Sequence, residues 1–306
     1  MIESSASAAI VRTPSSYIQR FRQLPLRWKL LWILISPFLC SGILLLVYLV
    51  FPPAPVNIVV LGTDGRASEG FLSRTDSIML VGVKPSQLRL SLLSIPRDLF
   101  IEVPGFGSQR INTINLLAEQ KQRGTGPVLV TESISKDFGI QLYRYVRLDF
   151  NGFVQLVDAV GGITVDVEHT IIDDQYPTEN GGVEYVKFDI GVQQMDGKRA
   201  LVYARTRHAD DDYHRAARQQ QVISALFAKL VNPVHWPAAV ATLRSSVDTN
   251  LTLGDLFTLT VPALLNRGRY ETLVIDRDYI KGSTEGHAVP NYEKLLPWLK
   301  DRFVQK

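Results

Sequence analysis

The sequence predicts one α/β domain, a mixed sheet flanked by helices on both faces, preceded by one N-terminal transmembrane helix. Three observations carry this reading. From Asn57 onward, short apolar runs alternate with segments of helical period over short connections and without an internal repeat. Lys84-Pro85-Ser86-Gln87 separates two apolar runs and has hairpin-turn chemistry, so the sheet includes an antiparallel pair. Leu30–Phe51 holds 22 residues without a charge.

That uncharged stretch spans ~33 Å as a helix, enough for a hydrocarbon core of ~30 Å. Pro37 and Gly42 within it are tolerated in membrane helices, and Trp28, Trp32 and Tyr48 mark its ends. Five basic residues (Arg12, Arg20, Arg22, Arg27, Lys29) precede it, and no charge follows until Asp64. The positive-inside rule therefore predicts a cytoplasmic tail over 1–29, a span over 30–51, and residues 52–306 outside the cytoplasmic membrane. A cleaved signal peptide is disfavoured by the length of the apolar run and by Phe51-Pro-Pro-Ala-Pro, which offers no small-residue cleavage site. Residues 52–56 read as a proline-stiffened linker.

In the outer domain, 57–306, Asn57–Gly62, Asp76–Val83 and Leu88–Ile95 read as buried strands. Ile111–Gln122 and Pro127–Phe138 read as helices, the second ended by Gly139. Leu142–Leu148 returns to strand. Asn151 is placed to cap a helix whose apolar residues Phe153, Leu156, Val157 and Val160 precede Gly161-Gly162. Ile163–Glu168 alternates as a strand does; Asp196–Ala204 and Arg215–Leu230 read as helices. Beyond residue 231, Asp255–Leu265 and Tyr292–Phe303 are helix candidates around a strand at Thr272–Ile275.

Composition narrows the function. Of the +3 net charge, residues 1–51 carry +4 and the rest of the chain −1, which argues against a nucleic-acid partner. The single cysteine, Cys40, excludes an internal disulfide or a cysteine-rich zinc site. The five histidines form no H-x-x-x-H pair, and there is no G-x-S-x-G, Walker A or G-x-G-x-x-G pattern.

Four polar clusters fall where strands or helices end. Gly62-Thr63-Asp64-Gly65-Arg66 follows the first strand, and Ser73-Arg74-Thr75-Asp76-Ser77 opens the next. Two carboxylates at one sheet edge suit Mg²⁺, which takes one or two protein carboxylates plus phosphate and water oxygens. The plainer assignment makes Asp64 a turn residue and Asp76 a partner of Arg74. Ile95-Pro96-Arg97-Asp98 ends the third strand, and Arg110-Ile111-Asn112 opens a helix, as donor or as cap. The fourth cluster runs from Tyr203-Ala204-Arg205-Thr206-Arg207 through Asp210-Asp211-Asp212 to Arg215, Arg218 and Gln219. Arg205 and Arg207 share a face if extended, and the last three share a helix face. Such crowding of guanidinium groups beside an apolar helix face favours an anion site, since their planar forks bond phosphate oxygens in pairs; a solvated charged face is the alternative.

Taken in order, G-T-D-G-R, S-R-T-D-S-I-M-L, L-S-I-P-R-D, R-I-N, F-N-G-F-x-x-L-V-D-A-V-G-G-I-x-V, D-G-x-x-A-L-x-Y-A-R-T-R and D-Y-x-R-x-x-R-Q-Q resemble the LytR–CpsA–Psr family of bacterial cell-wall enzymes over Asn57–Leu230. The resemblance implies an α/β domain with an apolar pocket, and transfer of an anionic glycan from a polyprenyl-pyrophosphate carrier to peptidoglycan with Mg²⁺. Carried over by motif, Asp64 and Asp76 hold the metal. Arg97, Asp98, Arg205, Arg207 and Asp212 form the catalytic set, and Arg74, Arg110, Arg215, Arg218 and Gln219 bind the substrate. Two departures stand out: Thr113-Ile114-Asn115 replace the small residues usual after R-I-N, and the tract Asp210–Asp212 is unusually acidic. Two rival functions use the same features, a polyprenyl pyrophosphatase with water as acceptor and a non-catalytic membrane regulator or transcription attenuator.

Overall fold

The computed structural model describes residues 25–63, 71–178, 182–206, 212–230, 233–235, 237–239, 241–242, 247–265, 270–282 and 287–304. The chain divides into two compact units, Met1–Pro52 and Pro53–Lys306.

The first unit contains helix α1, Leu26–Val50, 25 residues with a mean hydropathy of 2.5 in its most apolar window. By length and composition it can cross a membrane. It begins four residues before the predicted span, at Pro25, and ends before Phe51, which precedes proline and is thereby pushed out of helical geometry.

The second unit is built on a six-stranded sheet, matching the predicted class. In chain order its strands are β1 (Val56–Thr63), β2 (Thr75–Lys84), β3 (Arg89–Ile95), β6 (Arg144–Leu148), β11 (Val247–Thr249) and β12 (Glu271–Val274). Their spatial order is β11-β6-β1-β2-β3-β12. The β1–β2, β2–β3 and β6–β11 pairs are antiparallel, whereas β1–β6 and β3–β12 are parallel. The turn from β2 to β3 is a 3₁₀ segment at Pro85–Gln87 closed by Leu88 at φ 50, a left-handed conformation.

Strand residues alternate between two buried faces, which is why the runs read as continuously apolar. Val59, Leu61, Ile78, Leu80, Leu93 and Ile95 pack beneath α3 (Gly126–Phe138) and α8 (Tyr292–Phe303). Ile58, Met79, Val81 and Leu92 face the other way, toward α6 (Asp212–Leu230) and α7 (Leu253–Leu265). A third apolar cluster joins α6 to α4 (Phe150–Ala159), α5 (Gly197–Arg205) and strands β7 (Ile163–Val167) and β10 (Gly191–Met195).

Several local expectations change. The helix foreseen at Ile111–Gln122 is a 3₁₀ turn, Ile111–Thr113, followed by α2, Ile114–Lys121. Asp149, not Asn151, caps α4: its Oδ1 accepts the Gly152 amide at 2.7 Å, leaving Asn151 in the first turn. Three hairpins went unforeseen, β4–β5 (Phe100–Val103, Gly107–Arg110), β8–β9 (Ile171–Pro177, Val183–Phe188) and β13–β14 (Ile280–Gly282, Ala288–Pro290). These strands are short or interrupted by Asp, Gln and Pro, so they carry little apolar period. Residues after 231 supply both edge strands of the main sheet together with α7 and α8.

Candidate active site

A cavity of about 680 Å³ runs between the β1–β6 face of the sheet and helices α4, α6 and α7. Its walls follow from strand and helix periodicity. Ile58 and Val60 of β1 and Val146 and Leu148 of β6 point into it from one side, and Val222, Ile223, Leu226 and Phe227 of α6 from the other. Leu251, Leu256 and Leu259 close the apolar part from α7 and the segment before it. Gly62 allows β1 to lie close to β2 there, since a Cβ would sit 3.1 Å from that of Ser77.

Polar residues line the same cavity: Arg74, Asp76, Arg97, Asp98, Arg110, Asn112, Arg205, Arg215 and Gln219, from five separate stretches of chain. Arg74 and Asp76 are set by the start of β2, Arg97 and Asp98 by the end of β3, and Arg110 by the end of β5. The Arg97 guanidinium donates to Asp76 Oδ1 at 3.1 Å and lies 3.5 Å from Asp98 Oδ2; Arg110 is 3.8 Å from the other Asp98 oxygen. Asp76 is thus held by Arg97, not by Arg74 as the plainer assignment had it. Neighbouring Arg97 and Asp98 also make a contact that their adjacency in sequence disfavours.

Arg205 is the last residue of α5 and so is helical, not extended. Its guanidinium lies 4.3 Å from the Phe150 ring centre and donates to the Tyr176 hydroxyl at 3.2 Å. Burial raises the Tyr176 hydroxyl above the ordinary phenol range, while Arg205 pulls the other way, so Tyr176 stays a neutral donor and acceptor. Gln219 donates to the Ala204 carbonyl at 3.4 Å, and Arg215, one helical turn earlier, is buried on the same side of α6.

Arg218 departs from the expected cluster. It does not line the large cavity; its Nε and Nη2 donate to the carbonyls of Tyr203 and Thr206 at 3.1 and 2.6 Å. The helix period that puts Arg215 and Gln219 on the cavity turns Arg218 onto the buried carbonyls at the end of α5. Asp64 and Arg207 lie outside the described residues, as does the side chain of Asp212, whose backbone opens α6.

Four cavity residues were missed in the sequence: Asp149, Phe150, Asp173 and Tyr176. Phe150 belongs to a recognised motif, but its role under a guanidinium depends on where α5 ends. Asp173 and Tyr176 lie on β8, where no element is expected from the sequence pattern.

The donors fit a hard divalent cation. Asp76 supplies a carboxylate, and Asn112 Oδ1 is buried on the cavity wall without a hydrogen-bond partner among the described residues. Among those residues no cluster of three or more His, Cys, Asp or Glu is present.

The site is thus an apolar cavity edged by arginines and carboxylates on a mixed α/β sheet. The chain belongs to the LytR_cpsA_psr family, whose model matches residues 52–288. It is 33% identical over 208 residues to the regulatory protein MsrR of Staphylococcus aureus (strain COL), covering 66% of this chain and 58% of that protein. The chain thus spans less than two thirds of that relative's length. It is 32% identical over 226 residues to the polyisoprenyl-teichoic acid–peptidoglycan teichoic acid transferase TagU of Oceanobacillus iheyensis, covering 72% and 67%. The fold is similar to that of B. subtilis TagV, with a TM-score of 0.63 at 24% identity over 83% of this chain and 99% of that one. It is also similar to TagT bound to LIIa-WTA, with a TM-score of 0.61 at 22% identity over 82% and 91%.

Proposed function

We propose that this chain is a membrane-anchored phosphotransferase that moves an anionic glycopolymer from a polyprenyl-pyrophosphate carrier to a peptidoglycan hydroxyl, with its catalytic domain outside the cytoplasmic membrane. The observation that carries the reading is the continuity of one cavity from an apolar interior to an edge bearing Arg74, Arg97, Arg110, Arg205 and Arg215. A lipid tail and a diphosphate are the two halves of a ligand with that profile. Support also comes from TagU, a transferase by name, and from the basic residues that precede the apolar span.

In this reading the acyclic tail lies between β1, β6, α6 and α7, and the arginines bond the non-bridging phosphate oxygens. Asp76, with Asp64 and the Asn112 amide oxygen, would hold Mg²⁺, which supplies charge neutralisation when bound. The acceptor hydroxyl attacks the phosphorus nearer the glycan, the bridging P–O bond breaks, and polyprenyl phosphate leaves. Arg97 and Arg205, held by Asp76 and Tyr176, stabilise the charge growing on the leaving phosphate; positioning and electrostatics do most of the work in such transfers. Asp98, half exposed between Arg97 and Arg110, is the carboxylate at hand for the hydroxyl proton.

The test is transfer by the reconstituted full chain from a lipid-linked glycan to peptidoglycan oligomers, with and without Mg²⁺. Wild-type chain should transfer, and Arg97→Ala should lower the rate by at least 10²-fold, the order of one lost oxyanion donor. Undiminished transfer by Arg97→Ala combined with Arg215→Ala would remove the assignment. Phosphate release without transfer would make the protein a pyrophosphatase. The name of MsrR favours a second reading as a regulator, in which the arginine variants would keep their cellular effect.

A further inference from the structure

Helix α7 has two apolar sides with different fates. Leu256 and Leu259, with Leu251 just before it, line the cavity. Leu253, Phe257 and Leu264 follow one another at helical spacing on an adjacent side and are 82%, 43% and 48% exposed; Leu265 is 46% exposed. The sole ionisable residue of the helix, Asp255, is buried: its Oδ2 accepts the amide and hydroxyl of Thr252 at 2.7 Å and meets Arg144 Nε at 2.8 Å. The outer side therefore presents no charge. Water is a poor neighbour for such a surface.

We infer that the outer face of α7 rests in a bilayer surface, so that one side of the helix contacts lipid while its neighbouring side walls the cavity. This inference rests on the lipid-carrier reading above and assigns where that carrier's tail passes from bilayer to protein. Thirteen residues span ~20 Å, too short to cross ~30 Å of hydrocarbon but suited to lying in its interface. The tether is short: β1 begins six residues after the end of α1, which is long and apolar enough to cross a membrane. A polyprenyl chain that entered alongside Leu256 and Leu259 would stay out of water for the whole transfer from membrane to cavity.

The experiment uses the full chain with Cys40→Ser in vesicles of equal parts phosphatidylglycerol and phosphatidylcholine. An environment-sensitive fluorophore is placed at Leu253→Cys or Leu264→Cys, with Glu132→Cys on α3 as the aqueous control. Strong quenching by doxyl-labelled lipid at 253 and 264, and none at 132, is expected. Water-like emission at both positions overturns the inference, as does a blue-shifted label that lipid quenchers cannot reach, which would mean that protein covers the face. In parallel, Leu253→Asp with Leu264→Asp should slow transfer from a long-chain donor in vesicles at least fivefold and leave transfer from a short-chain donor in micelles unchanged. Equal rates in vesicles count against the docking surface. Failure of the wild-type chain with either donor instead removes the transferase reading, and the quenching result still decides the membrane contact.

Discussion

Arg147 shows how single residues carry this structure. Its guanidinium is buried on β6, where it meets Glu119 Oε1 at 2.6 Å, Asn115 Oδ1 at 2.9 Å and Asp248 Oδ2 at 2.7 Å, and covers the Phe71 ring at 4.1 Å. Asn115 in turn donates to the carbonyls of Phe71 and Ser73 at 3.0 and 2.8 Å, which fixes the backbone immediately before Arg74 and Asp76. The departure from small residues after R-I-N thus has a use: Asn115 clamps the strand that brings two site residues to the cavity. Leaving Glu119 buried without its partner should cost about 3–5 kcal/mol, so Arg147→Ala is expected to lower the unfolding free energy by that amount in denaturant titration. Burial raises the Glu119 carboxyl, but the Arg147 hydrogen bond, the Gly124 and Gly126 amides and the Arg147 charge outweigh it and hold the group below the ordinary glutamate range. Its contribution is complete above that range and is lost as pH falls through the lowered folded value; Glu119→Gln should flatten that part of the acid-unfolding curve. Arg218 belongs to the same scale. Because it donates to buried carbonyls at the end of α5, Arg218→Ala should destabilise the fold by roughly 1–3 kcal/mol, the cost of lost hydrogen bonds to buried acceptors. Donor affinity per folded molecule should change far less than in Arg215→Ala, a contrast readable by pairing thermal unfolding with donor titration.

Among the elements, the crossing of α4 and α5 matters most to the site, since it sets Phe150 under Arg205. Asp196 caps α5 through the Arg199 amide at 2.7 Å, and Asp158 of α4 accepts the Gly197 amide at 2.7 Å. A Cβ on Gly197 would lie 2.3 Å from the Val154 carbonyl oxygen, a backbone atom with no room to retreat. Gly197→Ala should therefore force the helices apart, with a loss of 1–3 kcal/mol or more in stability and weaker transfer, about the range of overpacked cores. The D-G pair was legible as a helix start; that its glycine serves interhelix contact was not, because the contact partner is 43 positions away in the sequence. The hairpin β8–β9 marks the opposite limit. Tyr176 and Asp173 reach the cavity from a strand whose Asp, Gln and Pro residues hide its alternation.

For the whole molecule, the two faces of one sheet divide the labour. Beneath α3 and α8 the face is solidly packed, and α8 is tied down by Asn57 Nδ2 donating to the Phe303 carbonyl at 2.7 Å and Lys84 Nζ to that of Asp301 at 2.7 Å. Toward α6 and α7 the sheet leaves the cavity open. Filling it should separate binding from folding: Leu226→Trp is expected to preserve the fold while reducing capture of a long-chain donor at least tenfold, measured by mass spectrometry of lipid retained by the full chain.

Local period, glycine placement and charge asymmetry along the chain determined the class of fold, the apolar span and the central strands, because each depends on neighbours a few residues apart. The motif order carried the family. Only the tertiary structure decided which arginines meet: residues at 74, 97, 110, 205 and 215 converge because β3, β5 and α5 end, and β2 and α6 begin, at one place, whereas Arg218, three positions from Arg215, turns to the α5 carbonyls. Such convergence is set by long-range packing and strand register, which no spacing in the sequence encodes.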